Sequence, residues 1–494
     1  MLQPYPHLRG TSHLWTIEYG ANPLVRYAVL DPIDFAARPW VSQAHWPIAP
    51  DDVVAHCRRA HAFSGAGDMD YRPERWITPE RQPLALAPDV VQSKMFSFAN
   101  REVFRTDLRD RIIASDKVTL YLWSNAVELE TAPSGDHIRE VRVACLDGNR
   151  FKVRAAVVIL AMGAFDVPRL LLASRRHHPA GLGNQSDQLG RNLMDHQIVD
   201  AGTLWPAAPG LFSRMGFYDQ RNEQGSRVVA NLQLTGAAQA EHQLLNSFFG
   251  LTPRSRLPLS TLARRPFGRP TTLYSPAVNQ LKAWRRPESP APFTAGGVLK
   301  VLSRIDDIWR DNLHRFPGLR AEFNIDNGGW FEDPERDRRF AAFDLYQMCE
   351  QAPDPQNRIT LSAERDAVGM PKAVVRFRWG EAERRSIARS QELLRDHLAQ
   401  AGVGRLVLER RDGEPVLRQM TTHHPAGTTR MSDSAATGVV DANSKVFGVD
   451  NLFVASSSVF PVSGAANPTL MILAIALRVA ETVKSMLATG VELL

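Results

Sequence analysis

Apolar and polar residues alternate every second position through much of residues 118–154, in Val-Thr-Leu-Tyr-Leu (118–122), Ala-Val-Glu-Leu-Glu (126–130), Ile-Arg-Glu-Val-Arg-Val (138–143) and Phe-Lys-Val-Arg (151–154). That period is the mark of strands with one buried face. Ser134-Gly135-Asp136 and Asp147-Gly148-Asn149 interrupt it as turns, so the segment reads as a small antiparallel meander. Ala156 to Ala161 is continuously apolar, Met162-Gly163-Ala164 follows, and a helix carrying Leu170, Leu171 and Leu172 starts near Pro168. Strand, glycine turn and helix in that order predict a β-α element of a buried parallel sheet. Val374 to Trp379 reads as a strand and Glu381 to Ala401 as a long polar helix.

Near the C-terminus the period changes again. Asn467-Pro468 precedes Leu470, Met471, Leu473, Ala474, Leu477 and Val479, so Asn467 reads as an N-cap and Pro468 as the first helical residue. A helix start carries partial positive charge and free backbone N–H groups, which favour an anionic ring or phosphate beside it. Shortly upstream stands Thr-Thr-His-His-Pro-Ala-Gly-Thr-Thr-Arg-Met (421–431). An imidazole at His424 could take a hydroxyl proton while the Asn467 amide holds the same oxygen, and a hydride could then leave the carbon for an electron acceptor.

These residues resemble the C-terminal signature of the glucose-methanol-choline (GMC) flavoprotein oxidoreductases. The resemblance is carried by His-Pro-Ala-Gly-Thr at 424–428, Gly438-Val-Val-Asp-Ala-Asn443, Val446-Phe-Gly-Val-Asp-Asn-Leu-Phe-Val454, Ser458-Val-Phe-Pro461 and Ala466-Asn-Pro-Thr-Leu470. Val157-Val-Ile-Leu-Ala-Met-Gly-Ala164, Pro168-Arg-Leu-Leu-Leu172 and Leu189-Gly-Arg-Asn-Leu-Met-Asp-His196 look like family segments bordering the cofactor domain. The resemblance implies an α/β fold, with a discontinuous, Rossmann-like FAD-binding domain (1–24, 117–196 and 418–494) and an α+β substrate domain containing an antiparallel sheet (25–116 and 197–417). It implies oxidation of a CH–OH group of an alcohol or sugar by hydride transfer to the flavin. His424 would be the general base and Asn467 the second active-site position, with His423 structural. Thr11, Ser12, His13, Val127, Ser456, Ser457, Pro468 and Thr469 would contact FAD. Oxygen, a quinone or a cytochrome would accept the electrons.

The front of the chain departs from that pattern. A dinucleotide-binding fold opens with strand, Gly-x-Gly-x-x-Gly and helix, and this spacing is absent; Gly181-Leu-Gly183 is followed by Ser186 in a polar loop. Arg9-Gly-Thr-Ser-His-Leu-Trp15 resembles a family loop that lies after the fingerprint, so the Rossmann-like domain is expected to be incomplete at its N-terminus. Either the start codon is misplaced and the cellular protein is longer, or the gene is truncated and the product is an FAD-deficient relative without enzymatic activity or is completed by another chain. Some relatives attach FAD through a histidine in this loop; here that position is Leu14, with His13 one residue earlier, so FAD is expected to be noncovalent.

With 494 residues, 44% hydrophobic and 23% charged, the chain has the makeup of a globular protein of two or more domains. Its net charge of +6 is spread without a block of like charges. The most basic stretch, Pro253 to Arg286, reads as a solvated insertion, and no nucleic-acid signature accompanies it. Cys57, Cys145 and Cys349 are too far apart for a zinc or disulfide framework, and no His-Glu-x-x-His metal pattern occurs. Neither a signal peptide nor a membrane span is read, and a cytoplasmic location is the expectation.

Overall fold

A computed structural model describes residues 24–42, 44–100, 103–255, 280–281, 284, 292–302 and 328–489. Thr11, Ser12, His13 and Leu14 lie outside the described residues, as does most of the basic stretch. Arg254, at the start of that stretch, is not simply solvated: it pairs with Asp344 and donates to Thr203 Oγ1 at 3.1 Å.

The chain opens with β1 (Leu24–Tyr27), the helix α1 (Asp51–Ser64) and β2 (Val91–Asn100). A meander follows, β3 (Ser124–Thr131), β4 (Ile138–Cys145) and β5 (Arg150–Val153), then β6 (Val158–Leu160) and α2 (Asp166–Ala173). Next come β7 (Gln197–Pro206), β8 (Arg221–Glu223), β9 (Ser226–Leu234), β10 (Ser247–Ser255) and β11 (Phe340–Cys349). The hairpin β12 (Arg358–Arg365) and β13 (Pro371–Arg376) leads to α3 (Glu381–Gln400). β14 (Gly404–Leu408), β15 (Arg410–Arg411), β16 (Glu414–Thr421), β17 (Leu452–Val454) and α4 (Thr469–Ala488) complete the order.

The architecture is the α/β class expected. β6 and β17 run parallel, Val158 opposite Leu452 and Leu160 opposite Val454, and their buried residues share one core with those of α2 and α4. Among the described residues, ten strands form one antiparallel sheet ordered β1-β2-β9-β10-β11-β7-β16-β15, with β14 on β7 and β8 on β9. β16 runs across position 417/418 and joins this sheet through β7.

Two cores explain the layers. Leu170, Leu171, Phe453, Val454, Leu470 and Ile475 fill the one around the parallel pair. Phe212, Phe249, Phe343 and Leu394 fill the other, where α3 packs on the large sheet. Between them Phe96, Phe248 and Met348 of the sheet close on Ala465 and Ala466, just ahead of α4. Buried Asn451 stitches the meander to the parallel pair: its Oδ1 accepts from Ile138 N at 2.8 Å, and its Nδ2 donates to the carbonyls of Ile138 (3.0 Å) and Ala156 (3.1 Å).

The meander starts later than the alternation predicts. Val118 to Leu122 is not a strand; its apolar side chains are exposed, and Trp123, 83% exposed with φ +59°, ends it. Alternation describes a surface that suits pleating but does not supply a neighbouring strand, and without ladder partners no strand forms. α2 begins at Asp166, two residues before Pro168, because proline is tolerated in the first turn, where its missing N–H costs no helical bond.

Candidate functional site

The loop 424–431 is held from both sides by backbone bonds. Met194 and Ala426 exchange a pair of them (3.0 and 2.9 Å), while Thr429 N and Met431 N each donate at 2.8 Å to the carbonyls of Ser458 and Val459. The His-x-x-Gly spacing has a steric cause: Gly427 has φ +90°, and a Cβ there would collide with the Asn192 carbonyl. His423, at φ +62°, turns the chain so that the next residue enters the interior. His423 itself is exposed.

His424 and Asn467 are brought together as the sequence predicts. Asn467 Nδ2 lies 3.4 Å from His424 Nε2. That is a long, weak contact, with room for an oxygen to lie about 3 Å from both atoms. The expected N-cap bond is absent: the cap residue of α4 is Pro468, in helical conformation, and no side chain caps the helix. Asn467 instead turns its amide to the imidazole, and its buried Oδ1 has no hydrogen-bond partner. The helix start therefore leaves its first N–H groups available, with Thr469 as the first helical residue.

Sequence reasoning missed the third member. His196 Nδ1 sits 2.9 Å from His424 Nδ1, and its Nε2 lies 2.7 Å from the Gly464 carbonyl oxygen. Its signal was the Asp-His pair closing the segment Leu189 to His196, but the contact spans 228 residues and no local pattern announces it. Asp195 braces the group through one carboxylate oxygen, which accepts from His196 N (2.7 Å), His424 N (3.0 Å) and Thr422 Oγ1 (2.7 Å). Its own N–H donates to Gln351 Oε1 at 2.9 Å. Potential ligand atoms of Asp195, His196 and His424 lie within 4.8 Å of one another, and these hydrogen bonds account for their closeness.

Burial pushes the His424 pKa well below the usual histidine range, and any positive charge on His196 or His423, with that of Arg26, pushes the same way. Burial likewise lowers His196, against the opposing pull of Asp195, and raises the Asp195 carboxyl. The imidazoles are therefore neutral at neutral pH, and a lone pair on His424 is available as a base. Arg26 stands on the sheet side of the site, its guanidinium 4.0 Å from the Phe96 ring centre and donating to the Tyr346 hydroxyl at 3.0 Å.

Of the other residues expected to contact the cofactor, Ser456 and Ser457 lie in the turn beside this loop and Val127 lies in the meander. Ser456 Oγ accepts from Ser458 N at 3.1 Å, and Ser457 Oγ donates to the Pro425 carbonyl at 2.7 Å, so both hydroxyls steady the turn beside His424. Val127 sits in β3 at a shift in the pairing with β4, where Ala126 faces Val143 and Glu128 faces Arg142, leaving Val127 without a residue opposite. A bulge of this kind leaves backbone polar groups out of the ladder.

Residues 353–476 match the family model of the GMC oxidoreductases. The chain is 25% identical over 346 residues to the fructose dehydrogenase large subunit of Gluconobacter japonicus, covering 70% of this chain and 50% of that protein. It is 27% identical over 371 residues to the 6'''-hydroxyparomomycin C oxidase of Streptomyces lividus, covering 74% and 51%. It thus spans about half the length of these curated relatives. A formate oxidase structure from Aspergillus oryzae aligns with a TM-score of 0.47 at 16% identity, over 97% of this chain and 84% of that one. Among the described residues, no helix is long and apolar enough to cross a membrane.

Proposed function

Because the chain belongs to the GMC oxidoreductase family through residues 353–476, we propose that it oxidises a CH–OH group of an alcohol or sugar with noncovalent FAD as the hydride acceptor. The observation that carries this reading is the neutral, half-buried imidazole of His424 facing the Asn467 amide at 3.4 Å beside an uncapped helix start.

A substrate oxygen placed between the two groups receives an N–H from Asn467 and gives its proton to His424 Nε2. The unpartnered Asn467 Oδ1 adds an acceptor for a hydroxyl or a ring N–H. Bound FAD would supply the hydride acceptor. The residues present suit such a group: the α4 start at Pro468 and Thr469 favours negative charge on a reduced ring, and Val127 offers backbone groups outside its ladder. The Ser456–Ser457 turn fixes the loop beside it. Thr11, Ser12 and His13 belong to the same proposal from sequence.

The relatives' names are those of a fructose dehydrogenase subunit and a 6'''-hydroxyparomomycin C oxidase. Sugars are therefore the first substrates to screen, followed by simple primary alcohols. Reoxidation by oxygen, a quinone or a cytochrome completes the cycle. The test is to titrate the purified chain with FAD, record the visible spectrum, and add the substrate panel without oxygen. Bound flavin that bleaches with an alcohol or sugar supports the proposal; a protein that retains no flavin colour once free FAD is removed contradicts it.

A further inference from the structure

The geometry points to His196 as a positioning residue that fixes which nitrogen of His424 is the base, through a hydrogen-bond relay anchored on the Gly464 carbonyl. The meaning of this relay for catalysis rests on the proposed role of His424; the relay itself does not.

The assignment follows from donor and acceptor chemistry. A carbonyl oxygen can only accept, so His196 Nε2, 2.7 Å from the Gly464 oxygen, carries a hydrogen. A neutral His196 then presents a bare Nδ1. Two bare nitrogens would set lone pair against lone pair at 2.9 Å, so His424 Nδ1 carries the hydrogen and donates it to His196. The lone pair of His424 is thereby placed on Nε2, the nitrogen facing Asn467. The same logic orients the amide: only its Nδ2 can point at that lone pair, which leaves Oδ1 as the orphan. Asp195 does not compete for either ring hydrogen, because the oxygen near them is engaged with two backbone N–H groups and the Thr422 hydroxyl.

The anchor is itself held. Gly464 has φ +58°, and a Cβ there would lie 2.7 Å from both Asp34 Oδ2 and Leu30 Cδ2. Asp34 is fixed in turn, accepting from Asn246 Nδ2 at 3.0 Å and from Asp31 N at 2.8 Å. A buried carboxyl thus backs the glycine, the glycine sets His196, and His196 sets His424. Without the relay, His424 would be free to take the other tautomer, which puts a hydrogen on Nε2 and removes the base from the substrate side.

The experiment is long-range proton–nitrogen NMR of the chain labelled with ¹⁵N-histidine, with His424 assigned from the signals missing in His424→Gln. In the native protein His424 should show a protonated Nδ1 and a bare Nε2. His196→Phe should shift His424 toward the Nε2-protonated form. His196→Gln should retain the native form, because its amide can accept from His424 and donate to Gly464. A native His424 protonated on Nε2, or an unchanged pattern in His196→Phe, overturns the inference. If His196→Phe does not fold, the native and His196→Gln spectra decide it. Flavin reduction by His196→Phe should also slow by roughly 10–100-fold, as for loss of a partner that orients an imidazole ligand. Should the tautomer be as stated while His424→Ala reduces flavin at the native rate, the base role fails and the relay stands.

Discussion

Glu350→Gln tests how the floor of the site is held. The Arg38 guanidinium makes two bonds to this carboxylate, at 2.7 and 2.6 Å, and both side chains are almost wholly buried, at 1% and 0% exposure. Glu350 Oε2 also accepts from Asn246 N at 2.9 Å, and the next residue, Gln351, holds the Asp195 N–H. Glutamine leaves the guanidinium charged in a site water cannot enter, and removing one partner of a buried pair costs roughly 3–5 kcal/mol. The lower end is expected, because Asp34 can partly take over. Burial, Asp31 and Glu350 raise the Asp34 carboxyl to about 7, and losing the Glu350 charge eases its ionisation next to Arg38. A loss of about 3 kcal/mol is roughly two powers of ten in the unfolding equilibrium. In urea denaturation the midpoint should fall by about 1 M, taking a slope of about 3 kcal/mol/M. Replacing both partners, Arg38→Met with Glu350→Leu, should recover most of it, since no charge is then left unpaired. A single variant whose midpoint stays within about 0.2 M of native would refute the argument from the desolvated charge.

Asn467→Ala removes the donor to the substrate oxygen and should slow flavin reduction by about 10²–10³-fold with the flavin still bound, measured by anaerobic stopped flow. The reduction rate should hold constant as pH falls to 6.5 and decline only below it, because burial lowers the His424 pKa from 6.5 and the neutral form is the base; an acid limb above that pH would contradict the assignment. Asn451→Ala strips three bonds from backbone groups, two of them buried, and should cost on the order of 2 kcal/mol in urea denaturation, with a native-like midpoint counting against its bridging role.

What the sequence made legible was local. His424, Gly427 and Asn467 stand in short motifs whose spacing reflects a sharp turn and a helix start, and the structure brings the two polar groups together. The same local reading misjudged what Asn467 does: an N-cap and a free amide share one position, and the side chain chose the imidazole over the helix. Nothing local announces the roles of Glu350 and Gln351, which close bonds with Arg38 and Asp195, both distant along the chain. His196 was hidden for the same reason. Val118 to Leu122 shows the converse, a strand-like pattern that finds no ladder among the described residues.

The central claim is that His424 accepts the substrate proton during oxidation of an alcohol or sugar. The direct test is anaerobic stopped-flow reduction of the FAD-loaded chain, native against His424→Ala, with the best substrate from the panel and equal flavin occupancy confirmed by absorbance. The account predicts that the variant reduces its flavin about 10²–10⁴-fold more slowly. Reduction at the native rate would contradict it.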